Sequence, residues 1–279
     1  MPIPAWFYLL ALFVFGLAFG SFANVVIWRF PRGESLSHPA SHCPSCGTPI
    51  KWYDNVPVVS WLLLGRRCRA CRVEIPVRYP VVELLGGLLW LAAGMQFGLS
   101  PQLPAAMFFY YLLLILAFID LDTKRLPNSL VALLALVGLA GAIAAQVTGI
   151  AIVPLISAGD GLLASPLTAS LVGAAVSAGA ALLIALAYQG VRKRQGFGMG
   201  DVKLLGAIGV FLGPFGLMTF LVGSVLGAAY GLLATRAEGR SLLDTFAFGP
   251  FLALSAVLVT LWGPTVWHGY LSLITGGKV

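Results

Sequence analysis

Apolar runs of about twenty residues follow one another along almost the whole chain, and few folds accept them. The first opens AWFYLLALFVFGLAFG and a later one reads LVALLALVGLAGAIAAQV, with no polar face at helical spacing. About 20 such residues match the hydrocarbon thickness of a bilayer, where only helices and closed barrels satisfy their backbone. Only 10% of the residues are charged, against about 25% in soluble domains. The reading is an all-α polytopic membrane protein with eight spans, at roughly 4–27, 81–99, 104–121, 129–147, 166–189, 202–216, 217–235 and 246–263. The sixth and seventh must be joined by a very short turn at Gly213-Pro214. The C-terminal HGYLSLITGG is too short to span alone. The first run has no basic segment before it and no small-residue cleavage site, so it reads as a retained span.

The net charge of +7 is explained by where the basic residues stand. Eight lie from Arg29 to Arg78, and Lys124 and Arg125 follow the third span. Arg192, Lys193 and Arg194 follow the fifth, and Arg236 and Arg240 the seventh. The alternate loops, near 100–103, 148–165 and 214, have no Lys or Arg. The positive-inside rule then puts the four basic segments in the cytoplasm and the N-terminus outside, with only Lys278 against the pattern. The basicity is a topology signal, and nucleic acid is not an expected partner.

Between the first two spans lies the one sizeable polar segment. The chain divides into a first span (1–27), a cytoplasmic four-cysteine domain (28–80) and a membrane core (81–279). HCPSCGTPI and RRCRACRVEIP place Cys43 and Cys46, then Cys68 and Cys71, as two Cys-x2-Cys pairs. Each pair offers two sulfurs from one tight turn, as a structural four-thiolate zinc site requires, and a closed set of four leaves no catalytic position. Two disulfides or four free thiols are the alternatives, and a reducing cytoplasm disfavours the first. His38 and His42 stand nearby as possible substitute ligands or as solvated side chains. So small a domain needs a metal to supplement its core.

Two acidic sites remain. FIDLDTKRLPN puts Asp120 and Asp122 at the cytoplasmic end of the third span, and FGMGDVK puts Asp201 at the start of the sixth. The topology sets both at one depth on one face of the membrane. The plain readings are an Asp201 helix cap and an Asp122 paired with Lys124. Carboxylates at span ends are nevertheless functional candidates, and two that converge can share a proton as an acid–base pair that activates water against an amide. Gly198 and Gly200 would let a bound peptide approach the backbone.

Taken together, GSFANVVIWRFPRG, the four-cysteine segment, FIDLDTKRLPN and GMGDVKLL resemble the type IV prepilin peptidases, membrane aspartic proteases of the GxGD type. The resemblance runs through most of the chain. It implies Asp120 and Asp201 as the catalytic pair, with Asp122 balancing charge nearby. Lys203 would orient the pair, meet an acidic group on the substrate, or only anchor its span end by snorkelling. It implies as substrates prepilin and pseudopilin precursors, whose short basic leader is cut from a Gly–Phe junction at the cytoplasmic face of a bacterial inner membrane. It further implies methylation of the new N-terminal Phe by S-adenosylmethionine. The chain contains no GxGxxG-type loop for that donor, and no residues are assigned to it. Three rival readings are open. One is a proton-coupled transporter using the two aspartates, and another is a non-enzymatic scaffold of a pilus or secretion machine. The third is a protease that cuts within its substrate's span.

Overall fold

The computed structural model describes residues 4–156, 161–193, 198–238 and 246–275. Among these the chain is helical with no strand, as the apolar runs require. The long helices are α1 (Ala5–Arg29), α3 (Arg78–Phe97), α4 (Gln102–Thr123), α5 (Asn128–Thr148), α6 (Pro166–Arg192), α7 (Met199–Leu212), α8 (Gly216–Glu238) and α9 (Gly249–Ile274). A single short α-helix, α2 (Val59–Leu63), lies in the polar segment, with 3-10 turns at Phe30–Arg32 and Trp52–Asp54. Large side chains such as Phe15, Leu183, Leu221 and Val225 face outward, a surface suited to lipid and not to water.

Eight membrane helices were expected, with a very short turn at Gly213-Pro214 between the sixth and seventh. Seven stretches are long and apolar enough to cross a membrane, because Met199–Arg236 runs on as a single apolar length of 38 residues. Within it the chain turns at Gly213–Phe215. Seven residues of straight helix would separate Gly209 from Gly216 by about 10 Å. Instead, a Cβ added to Gly216 would stand 2.7 Å from the Gly209 Cα, so α8 folds back on α7. Gly213 makes the turn at φ +58°, where a side chain is strained. The 14 residues of α7 rise only about 21 Å, short of a full crossing. The last span also extends further than expected. HGYLSLI is no separate tail but the continuation of α9 past Pro264. The loop expected over 148–165 is partly tucked in: Val153, Leu155 and Ile156 are buried, and the Leu155 N–H reaches the Phe211 carbonyl at 2.7 Å.

Helix α4 is the hub. It packs on the α1–α3 pair on one side and on α5 and α9 on the other, and Phe109, Tyr110, Leu113, Ile115, Leu116 and Ile119 along it are fully buried. The tight pairs around it are built on small residues, since lipid offers apolar side chains no hydrophobic gain from helix contact. Gly16 and Gly20 meet the α3 backbone at Gly86 and Glu83, and Gly173 of α6 meets Gly209 and Gly213. Polar groups tie the segment 28–80 to this bundle. Buried Arg29 donates to the Ser35 and Pro39 carbonyls at 2.9 and 2.7 Å. Buried Glu83 accepts the Val58 N–H at 2.7 Å, across from Gly20.

Candidate active site

The four cysteines converge. Their sulfurs all lie within 4.8 Å of one another, and Cys43 Sγ and Cys71 Sγ are 3.8 Å apart. Four sulfurs about 2.3 Å from a tetrahedral zinc are themselves about 3.8 Å apart, so the set has room for one metal ion and is not disulfide-bonded. Two copies of one turn make the site. Gly47 donates to the Cys43 carbonyl at 2.9 Å, and Arg72 donates to the Cys68 carbonyl at 3.1 Å. In both copies the residue after the second cysteine is left-handed, Gly47 at φ +69° and Arg72 at +62°.

Hydrogen bonding favours thiolate character at two of the four positions. The Thr48 hydroxyl, 3.2 Å away, brings the Cys46 thiol down to about 6, and the Cys71 and Ala70 backbone lowers that of Cys68. His38 and His42 stay outside the cluster, exposed, their rings on the Ser37 hydroxyl and the Ala40 carbonyl. From 31 to 79 only Cys43 and Ser60 are buried, which leaves the metal site as the organising core of this segment.

The aspartates come from the ends of two helices. Asp120 lies in the last turn of α4 and is 5% exposed. Asp201 lies in the first turn of α7, half-buried, near enough to Asp120 for the two carboxylates to interact electrostatically. The cap of α7 is Gly198 and not Asp201. The Asp201 carboxylate turns back on Gly198, where a Cβ would stand 2.8 Å from Oδ2. Gly200 packs against Leu126, which draws the α7 terminus onto the α4–α5 link.

Neighbouring polar residues fix these helix ends. Asp122 pairs with Arg78 of α3 through two bonds of 2.5 and 2.7 Å, in place of the Lys124 pairing that was one plain reading. The same guanidinium sits 5.3 Å over the Phe118 ring, so Arg78 grips α4 on either side of Asp120. Lys203 donates to Asn128 Oδ1 at 2.9 Å and ties the start of α7 to the start of α5. It does not reach the aspartates in this arrangement.

Gly249 was not singled out by the sequence. Its N–H donates to Asp120 Oδ2 at 2.8 Å, in the buried interface between α4 and α9. The signal was present in FGPF: a proline one place into a helix, preceded by the residue that carries the first free N–H. Arg78 and Asn128 were visible only as a topology charge and a helix start.

Two family descriptions match the chain: the bacterial peptidase A24 N-terminal domain over residues 14–97, and the type IV leader peptidase family over 107–232. The chain belongs to the type IV leader peptidase family. Curated relatives called prepilin leader peptidase/N-methyltransferase include one from Myxococcus xanthus, 40% identical over 86% of this chain and 68% of its own length. Another, from Aeromonas salmonicida, is 34% identical over 96% of both chains. A third, from Neisseria gonorrhoeae, is 32% identical over 91% of both. No solved structure matched significantly. With its apolar helices, membership makes the chain a multi-pass inner-membrane protein.

Proposed function

We propose that this chain is a prepilin leader peptidase and N-methyltransferase in which Asp120 and Asp201 do the cutting. The family and the names its relatives share support prepilin cleavage and N-methylation. What supports the residue assignment is that buried Asp120, at the end of α4, and Asp201, at the start of α7, come near enough to interact electrostatically. In the reaction one carboxylate takes a proton from water as its oxygen attacks the scissile carbonyl. The other protonates the amide nitrogen as the carbon–nitrogen bond breaks, so no covalent intermediate forms. Asp122, held by Arg78, balances charge and supports the α4 end.

The substrates are prepilins and pseudopilins, cut between Gly and Phe. The position of both aspartates at helix ends supports cleavage at the membrane edge and not within the span. The basic segments support a cytoplasmic site with the N-terminus outside. The division is a first span (1–27), a zinc domain (28–80) and a protease core (81–279). Cys43, Cys46, Cys68 and Cys71 hold Zn2+, which supplies folding energy to the domain and no step of the reaction. S-adenosylmethionine supplies the methyl group for the exposed amine.

The test uses purified full-length protein in lipid, a prepilin and labelled S-adenosylmethionine. Leader release and label transfer are followed separately for wild type, Asp120→Asn, Asp122→Asn and Asp201→Asn. Loss of cleavage in the Asp120 and Asp201 variants only, with pre-cleaved pilin still methylated, is the expected result. Normal cutting by both would leave the aspartates as helix-end groups and remove the protease assignment. It would favour the transporter or scaffold readings instead.

A further inference from the structure

Gly249 lies beyond the 107–232 stretch that the family description matches, in the first turn of the last helix. Three observations set it apart from an ordinary helix start. Its N–H, which has no partner within its own helix, points at Asp120 Oδ2 from 2.8 Å. No side chain fits there: a Cβ at 249 would stand 2.8 Å from Oδ2 and 3.2 Å from both Cβ and Cγ of Asp120. The next residue is Pro250, which has no N–H to offer in its place. The Phe251 N–H turns instead to the Phe248 carbonyl at 3.0 Å.

We propose that Gly249 is a positioning residue for cleavage, its N–H fixing one oxygen of Asp120 so that the other is presented to Asp201 and the substrate. The inference rests on the aspartate pair as the cleavage machinery. A carboxylate at the end of a helix has a rotatable Cα–Cβ and Cβ–Cγ bond. One short hydrogen bond from a buried backbone group, pressed against Cβ and Cγ at once, removes that freedom. Arg78 holds the α4 backbone and its flank, and Gly249 holds the reacting group itself. The last helix thus completes a site whose two carboxylates come from α4 and α7.

The experiment compares wild type, Asp120→Asn, Gly249→Ala and the double variant Gly249→Ala/Pro250→Ala, all full-length in lipid. It measures kcat and KM for leader release, with methylation of pre-cleaved pilin as the control for folding. A displacement of about 1 Å at a reacting group costs about 100-fold. The expected result is a kcat for cleavage lower by about that factor in both Gly249 variants, with KM and methylation within about twofold. The double variant matters because a residue with a Cβ is disfavoured in helical conformation before proline. Recovery of cleavage in it would place the defect in the backbone and overturn the inference. A parallel fall of cleavage and methylation in both variants would also overturn it, making 249 a folding position. An active Gly249→Ala beside a dead Asp120→Asn defeats this inference alone. An active Asp120→Asn defeats the aspartate reading beneath it.

Discussion

The cysteine domain and the aspartate site are assembled in opposite ways. The four sulfurs are presented by two local turns of the same construction, each complete within a few residues and separated by a short stretch of chain. The aspartates are presented by the ends of two helices 81 positions apart in sequence, gathered with glycine, arginine and asparagine contacts from α3, α5 and α9. The first site depends on turn chemistry, and a metal can complete it. The second depends on contacts between helices that are far apart in sequence.

If that contrast is right, the two sites break independently. The largest effect should come from Asp120→Asn and Asp201→Asn, each lowering leader release by about 100-fold or more while metal content stays at wild-type level. Assaying both quantities on the same preparation decides it. A variant that lost its metal as well would show the two sites to be one cooperative unit.

Next in size is Cys46→Ser, which removes one of four sulfurs within 4.8 Å of each other. Metal content should fall to near zero and the 33–77 segment should become open to protease, because so little else there is buried. Metal analysis and limited proteolysis in parallel measure this. Retained metal would point to a fourth ligand from outside the cysteines.

Arg78→Ala should cost less, since it disturbs the end of α4 without touching the proposed reacting groups. We expect cleavage about tenfold slower, with Arg78→Lys intermediate because an ammonium cannot make both bonds to Asp122. Equal rates in Arg78→Ala and wild type would detach the α3–α4 ion pair from the chemistry. The smallest effect concerns Asp54, whose carboxyl is held below its ordinary range by the Arg69 hydrogen bond. A depressed folded value stabilises above the unfolded value, near 3.8, and the contribution is lost as pH falls through the folded one. Asp54→Asn should therefore slightly lower the protease resistance of the domain at neutral pH and converge with wild type in acid, where the wild-type contribution is lost as well.

Much of the site was legible before any coordinates. Cys43, Cys46, Cys68 and Cys71 were readable because a turn that presents two sulfurs is encoded by consecutive residues. Asp120, Asp122 and Asp201 stood out as candidates because a carboxylate beside an apolar run is costly unless it serves a purpose, and the family resemblance then singled out Asp120 and Asp201. Lys124 was one plain reading of the partner of Asp122 because helix neighbours are the only partners a sequence displays, whereas Arg78 arrives from another helix. The 38-residue run Met199–Arg236 was correctly broken at Gly213-Pro214, since glycine and proline mark turns, and the span before the break was already read as short.

The sequence by itself determined that this chain crosses a membrane by helices, that its cysteines form a set of four, and which carboxylates stand at helix ends. Those properties follow from hydropathy, local turn chemistry and the cost of charge in lipid, all of which act along the chain. Only the tertiary structure decided that Gly173 of α6 meets Gly209 and Gly213, that Arg78 takes Asp122, and that a glycine of the last helix holds Asp120. Such contacts depend on how closely two backbones approach, and approach is set by packing between residues that sequence order keeps far apart.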